Sequence, residues 1–307
     1  MSFLSEKPFK IVYSHPVEYN ALAAELWRRD IPLSVINPAH LSFDPADTRP
    51  DFSLLFNDLS HPAGFRPDEN QTRSVILFTK QLETGPLRLA QSRIINGSNA
   101  LEILSSRVRQ ISLFESVNVK YPKTIFAYSL DALVRQLPAL QFPILIKDDS
   151  YASPRPTLKF DSVTEFVDAI FNERLIPGPN LLVVQEYREP ESNHIVQVDM
   201  LNGHPIASRK VHTLRDPGDD WALEVKGEFI EPDSEILKRI EYIARAGRID
   251  LATVEYFIDH RSGEAVFFNI TPFHYSRKHD PEARTLSTVG DYFERRLQKI
   301  HEIELAI

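Results

Sequence analysis

The sequence has no cysteine, and only ten glycines, two methionines and two tryptophans in 307 residues. The lack of cysteine excludes disulfides, thiolate zinc sites and cysteine nucleophiles. Glycine runs at about half its usual share of roughly 7%. The ten stand at 64, 85, 97, 178, 203, 218, 227, 247, 263 and 290, and no two fall within eight residues of each other. That spacing rules out G-x-G-x-x-G, G-x-x-x-x-G-K-[ST] and G-x-S-x-G, and with them a dinucleotide fingerprint, a P-loop and a hydrolase nucleophile elbow. No stretch approaches the roughly 20 apolar residues of a membrane-spanning helix. The opening residues MSFLSEKPFK carry no apolar core of signal-peptide length, so the expectation is a cytoplasmic protein. Basic excess is missing too: the formal net charge of −8 argues against a nucleic-acid partner.

What is present is ordinary globular material, 42% hydrophobic and 25% charged, long enough for two or three lobes. Short apolar runs at residues 10–14 (KIVYS), 32–36 (PLSVI), 52–56 (FSLLF) and 74–78 (SVILF) read as strands, and residues 16–29 as a helix. Strand–helix–strand order predicts a parallel sheet. Residues 94–98 predict a strand end turning into a helix that has Ser98 as its N-cap and runs to about Val117. Strands follow at 124–127, 143–147 and 180–187, with helices at 129–137 and from Ser162 to about Asn172. Residues 148–160 (DDSYASPRPTLKF) read as a polar hairpin or loop. A hairpin turns over Asn202-Gly203, a helix spans 233–246 with Gly247 as its cap, strands at 252–259 and 265–270 pair, and a helix over 287–306 ends the chain.

Five motifs, in this order, carry a family resemblance. They are INGSNALEILSSRVRQ from Ile95, PILIK ending at Lys147, VVQEYREP from Val183, HIVQVDMLNGHPIASRKV from His194, and DLATVEYFIDHRSGEAVFFNITPF from Asp250. From about Asn96 onward the chain resembles the ATP-grasp superfamily, and within it the RimK-type glutamate ligases. The resemblance implies an α/β and α+β chain: an N-terminal pre-ATP-grasp α/β domain over 1–95, a linker helix and first ATP-grasp lobe over 96–185, and a C-terminal ATP-grasp lobe over 186–307. It implies ATP and Mg2+ in the cleft between the lobes. Arg107 and Lys147 then meet phosphates. Gln185, Glu186, Tyr187 and Glu189 hold the nucleoside, Glu186 through carbonyl or side chain and Tyr187 through its N–H, and Glu191 or Asn193 also stands near the ribose. Arg209 and Lys210 serve catalysis, and Glu255, Asn269 and Thr271 hold the metal. The implied partners are a nucleotide and a small-molecule or peptide carboxylate or amine, with no membrane, and a homo-oligomer or partner protein left open.

The chain departs from the family pattern at two places. The stretch after Lys147 lacks the glycines whose backbone N–H groups close over a triphosphate, and carries Pro154, Pro156, Asp148 and Asp149 instead. At the metal position Asn269 replaces a carboxylate and Thr271 an asparagine, leaving Glu255 as the only charged donor unless Asp199 or Asp148 substitutes. Two function classes follow: an ATP-dependent carboxylate–amine ligase, or a degenerate homologue acting as a binding or regulatory partner. His274, His279 and Asp280 lie close together, but a zinc site there needs a further ligand from elsewhere, so a polar loop is the expectation. His15 is a candidate substrate contact after the first strand, and Phe267, Phe268, Phe273 and Tyr275 mix core with cleft wall.

Overall fold

The computed structural model describes residues 7–16, 20–44, 46, 51–60, 68–84, 93–150, 157–172, 181–213, 223–273, 275 and 283–305. His274, His279, Asp280 and the central part of the loop after Lys147, residues 151–156, lie outside them.

The first sheet contains β1 (Phe9–Val12), β2 (Leu33–Ile36), β3 (Leu54–Asn57) and β4 (Ile94–Ile95), all parallel, in the order β2-β1-β3-β4. Helix α1 (Ala21–Arg28) begins at Asn20, whose side chain accepts from the Ala23 N–H. The run at 74–78 is not a strand; it lies inside α2 (Glu69–Thr84). A five-residue apolar run fits either period, and here the buried side chains Thr72, Val75, Phe78 and Thr79 recur at helical spacing while Leu77 is 53% exposed.

The helix expected from Ser98 is two helices, α3 (Ser98–Ser105) and α4 (Arg107–Ser116). The break falls at Ser106, which turns extended (φ −133°) and caps α4 through its hydroxyl. Ser98 is not the cap of α3. Gly97 occupies that position without a side chain, and Glu83 of α2 reaches over to accept from the Ser98 N–H at 2.9 Å. A Cβ on Gly97 would lie 2.3 Å from Glu83 Oε1, so a side chain there would push the Glu83 carboxylate out of this position.

Asn96, just before, joins two sheets. It sits at φ +55°, and its N–H donates to Asp250 Oδ2 at 2.8 Å. Its Nδ2 donates to the Leu251 carbonyl at 2.8 Å, and its Oδ1 accepts from the Asp250 and Leu251 N–H groups. Its own carbonyl accepts from Asn57 Nδ2 at 2.9 Å. One buried amide thus ties the end of the first sheet to the start of a strand some 155 residues away.

A second sheet holds β5 (Thr124–Ala127), β6 (Ile144–Asp148), β7 (Leu158–Phe160) and β8 (Leu182–Glu186) in the order β5-β8-β6-β7. Its apolar face, including Ile144, Ile146, Leu182 and Val184, packs with Leu133 and Leu137 and with Phe166 and Ala169, the buried residues of α5 (Leu130–Gln136) and its extension and of α6 (Val163–Phe171).

The third sheet is antiparallel: β9 (His194–Leu201), β10 (His204–Thr213), β11 (Leu223–Phe229), β12 (Leu251–Ile258) and β13 (Ala265–Pro272), ordered β11-β10-β9-β12-β13. The Asn202-Gly203 turn has φ +52° and +80°, as its sequence predicts. The sequence reading has no strand at β11, whose LEVKGEF text alternates weakly. One face of this sheet, through Val196, Val198, Met200, Val254 and Phe267, packs on α3, α4 and α7 (Ser234–Gly247). Gly247 is the last helical residue rather than the cap; a Cβ there would lie 2.9 Å from Ile249 Cδ1 and 3.1 Å from Leu113 Cδ2, and Arg248 takes the left-handed position at φ +51°. Helix α8 (Arg284–Leu305) returns to the first sheet, where Phe293 meets Phe9 and Phe56 with ring centroids 5.3 Å apart in each pair.

Asn96→Ala removes several buried hydrogen bonds and puts a Cβ-bearing residue without local bonding at positive φ. A loss of about 3 kcal/mol is expected from urea unfolding. Asn96→Gly should recover only the dihedral part. A loss under about 1 kcal/mol in the alanine variant would contradict this role.

Candidate ligand-binding cleft

On a strand, residues two apart share a face. Opposite its packed face, the antiparallel sheet carries a polar row that crosses strands in register: Arg209 pairs with Gln197, Gln197 with Glu255, and Glu255 with Asn269. A second row runs through Asp199, Thr253 and Thr271. Ile195, Val211, Phe257, Val266 and Phe268 form an apolar patch beside these rows, and Phe268 sits where a bulge shifts the β12–β13 register.

Glu255 is the centre of the first row and is 5% exposed. Gln197 Nε2 donates to its Oε1 at 2.8 Å, and Asn269 Nδ2 donates to its Oε2 at 2.7 Å. Burial pushes the Glu255 carboxyl above its ordinary range, while the Asn269 and Gln197 amides and then the Lys147 and Arg209 charges pull the other way. The second row is ionic. Arg209 Nη2 lies 2.9 Å from Asp199 Oδ2, and the Thr253 hydroxyl donates to Asp199 Oδ1 at 2.7 Å. Arg209 and Asp199 are 4% and 0% exposed, so the pair is fully desolvated. β13 is an edge strand, and Gln110 of α4 completes its hydrogen bonding. Gln110 Nε2 donates to the Ile270 carbonyl at 2.7 Å and its Oε1 accepts from the Ile270 N–H at 3.0 Å. That clamp fixes the strand between Asn269 and Thr271.

Lys147 comes from the other lobe. Leu145 and Lys147 on β6, with Val183 and Gln185 on β8, share the face turned away from the α5–α6 layer. The positive charge of Lys147 reaches the Glu255 carboxyl and pulls against its burial, and strand period puts each side chain on the face of its sheet away from the packed helices.

Several expected site residues have other engagements. Lys210 follows Arg209 on β10 and points to the opposite face. Its charge there acts on His194, whose ring lies 3.8 Å, centroid to centroid, from that of His212. Two consecutive strand residues cannot both serve one face, which corrects the pairing of Arg209 with Lys210 in catalysis. The Glu186 side chain also turns from the gap, accepting from the Gln141 N–H at 2.9 Å and lying 3.2 Å from Arg188 Nη2. The Tyr187 N–H donates to the Pro143 carbonyl at 2.8 Å, and Lys159 Nζ stands 4.8 Å over the Tyr187 ring. Gln185 Nε2 donates to the Thr124 hydroxyl at 3.0 Å. Glu189 is exposed, and its carbonyl accepts from the His260 N–H, tying the segment after β8 to the β12–β13 turn.

Arg107 opens α4, and its Nη1 donates to the Asp148 carbonyl at 3.2 Å. Asp149 is a helix cap: its carboxylate accepts from the Val108 N–H at 2.7 Å and from the Ser106 hydroxyl at 3.0 Å. Its charge therefore serves the amino end of α4. His15 packs edge-on against Tyr13 with centroids 5.7 Å apart.

The donor set does not fit magnesium. Mg2+ favours charged oxygen ligands around an open octahedron. Here Glu255 supplies one charge, both of its oxygens already accept amide hydrogens, and Asn269 and Thr271 add none. Of the two candidate substitutes, Asp199 is committed to Arg209 and Thr253, and Asp148 follows Lys147 on β6 and so lies on the opposite face of that sheet. Among the described residues no group of three His, Cys, Asp or Glu could hold a metal ion, and none of their helices is long and apolar enough to cross a membrane.

These sheets, their order and the cleft between them define the ATP-grasp fold. The chain is similar to an ATP-grasp RimK-domain protein from Sphaerobacter thermophilus, with TM-score 0.67 and 12% identity over 93% of this chain and 98% of that one. It is similar to the ATP-grasp ligase PsnB, solved with a phosphomimetic variant of its minimal precursor, Mg and ADP, with TM-score 0.68 and 12% identity over 95% and 99%. D-alanine–D-alanine ligase from Bacillus anthracis, complexed with ATP, matches with TM-score 0.65 and 12% identity over 98% and 99%. At such identities the likeness is one of fold. No protein-family model matches the sequence, and no curated protein matches it.

Arg209→Met leaves Asp199 buried without its cation and is expected to cost about 3–5 kcal/mol. The double variant with Asp199→Leu should recover most of that loss in urea unfolding, and a double variant as unstable as the single would contradict the ion-pair account. Glu255 has its folded pKa above the unfolded value, so its ionised form costs stability, and the cost is relieved as pH falls from the folded to the unfolded pKa. Glu255→Gln is therefore expected to melt higher than wild type at alkaline pH, with the gap closing on acidification. A gap that widens toward acid would contradict the burial argument.

Proposed function

We propose that the chain is an adenine-nucleotide-binding protein built like the carboxylate–amine (glutamate) ligases, in which the magnesium-dependent ligation has been lost and binding or regulation remains. The observation that carries this reading is Glu255: it faces Lys147 across the gap, as a nucleotide cleft needs, yet both of its oxygens are taken by Gln197 and Asn269. Solved proteins of the same fold include one with ADP and Mg and one with ATP. In this chain the nucleoside side of the cleft runs along residues 185–189. With the Glu186 side chain, the Tyr187 N–H and the Gln185 amide N–H engaged elsewhere, the Glu186 carbonyl is the group on this stretch left to read the base. On the phosphate side Lys147 supplies positive charge, joined by Arg107 at the mouth of α4. The second ligand is a small-molecule or peptide carboxylate or amine.

Active ligation is the second reading, favoured by the survival of Lys147 opposite Glu255. In that case Lys147 would neutralise phosphoryl charge, while Arg209, buried on Asp199, would orient the sheet rather than touch substrate.

Isothermal titration of the full chain with AMP, ADP and ATP tests the site. Binding weakened at least about tenfold by Lys147→Ala is expected, the loss of one charge-assisted contact. Release of ADP matched by amide product, with amino acids supplied as acceptors, would replace the binding reading with the ligase. No heat from any of the three at millimolar concentration would contradict the nucleotide site itself.

A further inference from the structure

The charges around Glu255 close on themselves. Among the described residues the acids Glu255 and Asp199 meet the cations Lys147 and Arg209, and Arg209 is spent on Asp199 within hydrogen-bond distance. The remaining polar groups of the two rows, Gln197, Asn269, Thr253 and Thr271, are neutral. A divalent cation approaching Glu255 meets the hydrogens of two amides aimed at the same oxygens, at 2.8 and 2.7 Å. To bind, it must share those oxygens with both amides or turn them away, and desolvate beside Lys147, with a single carboxylate in return. A triphosphate without its metal fares no better, because it carries more negative charge than Lys147 and Arg107 together can balance beside Glu255. Dication and triphosphate are normally accepted together, and this arrangement disfavours both for the same electrostatic reason.

We infer that the cleft takes a nucleoside monophosphate without a divalent cation, the Gln197 and Asn269 amides occupying the positions on Glu255 from which a metal would be held. This deepens the nucleotide reading above and rests on it. Neutral donors suit a ligand of low charge: Lys147 meets the single phosphate, and the amides keep Glu255 from repelling it by drawing its charge inward along two hydrogen bonds.

Two measurements on the full chain separate the parts. In the first, Mn2+ alone is titrated and followed by electron paramagnetic resonance. Wild type is expected to show no site tighter than about millimolar, and Asn269→Asp, with a second carboxylate, one at least about tenfold tighter. Wild type holding Mn2+ at least about tenfold tighter than millimolar, with the site lost in Glu255→Gln, would overturn the cation-free claim. The wild-type titration decides this whether or not the aspartate variant folds. In the second, AMP and ATP are titrated by calorimetry with chelator and with excess magnesium. AMP is expected to bind equally in both buffers, to within about twofold, and at least about tenfold tighter than ATP in either. ATP binding tighter than AMP once magnesium is added overturns the ligand class. If neither nucleotide binds, the ligand class and the nucleotide reading fall together, while the Mn2+ titration still decides the cation claim alone.

Discussion

The carboxylate of Glu255, buried between two sheets and held at each oxygen by a side-chain amide from a neighbouring strand, sets the chemistry of the cleft. An ionised carboxylate at this depth would be costly alone. The structure compensates it with dipoles from Gln197 and Asn269 at short range and with the fields of Lys147 and Arg209 further out. A desolvated Arg209–Asp199 pair lies beside it, anchored by the Thr253 hydroxyl. The consequence is a polar surface that is satisfied before any ligand arrives, which is an unusual starting point for phosphoryl chemistry and a reasonable one for recognition.

That surface depends on sheets holding a fixed relation, and polar ties add to the apolar core in which Leu201, Leu251 and Phe273 pack with the first sheet. Asn96 binds the backbone at Asp250 and Leu251, where β12 begins, and so sets the strand that carries Glu255 against the first sheet. Gln110 does the same for β13 at Ile270, one residue from Asn269. Asp149 pins the end of β6, next to Lys147, to the amino end of α4. Each tie uses a side chain that mimics a missing strand or helix partner, so the backbone groups are satisfied while the elements remain distinct.

Much of this was legible in the sequence. The order of strand and helix signals, the lysine closing PILIK and the acid in VEYF led to the fold and to one shared gap. The departures at Asn269 and Thr271 were also readable, because strand period alone puts them on the face of Glu255. Other features were hidden for physical reasons. SVILF is too short to distinguish a strand from a turn of helix, and its polar flanks decided for α2. The pairing of Arg209 with Lys210 ignored the alternation that sends neighbours to opposite faces. Gly247 looked like a cap because glycine favours positive φ, but close packing against Ile249 and Leu113 claimed it first, leaving Arg248 to take that conformation. The roles of Gln110, Gln197 and Asp149 depend on partners 40 to 160 residues away, and no local pattern announces such contacts. Polar letters inside the apolar text IVQVDML were the one available signal, since a buried strand tolerates them only when they are paired.

A crystal grown with AMP and Mn2+ tests the central claim most directly, because manganese scatters anomalously and reports its own position. The account predicts nucleotide density between β6 and β12, Gln197 and Asn269 still donating to Glu255, and no anomalous peak within coordination distance of that carboxylate. A peak bridging Glu255 and the phosphate, with the amides swung aside, would contradict it.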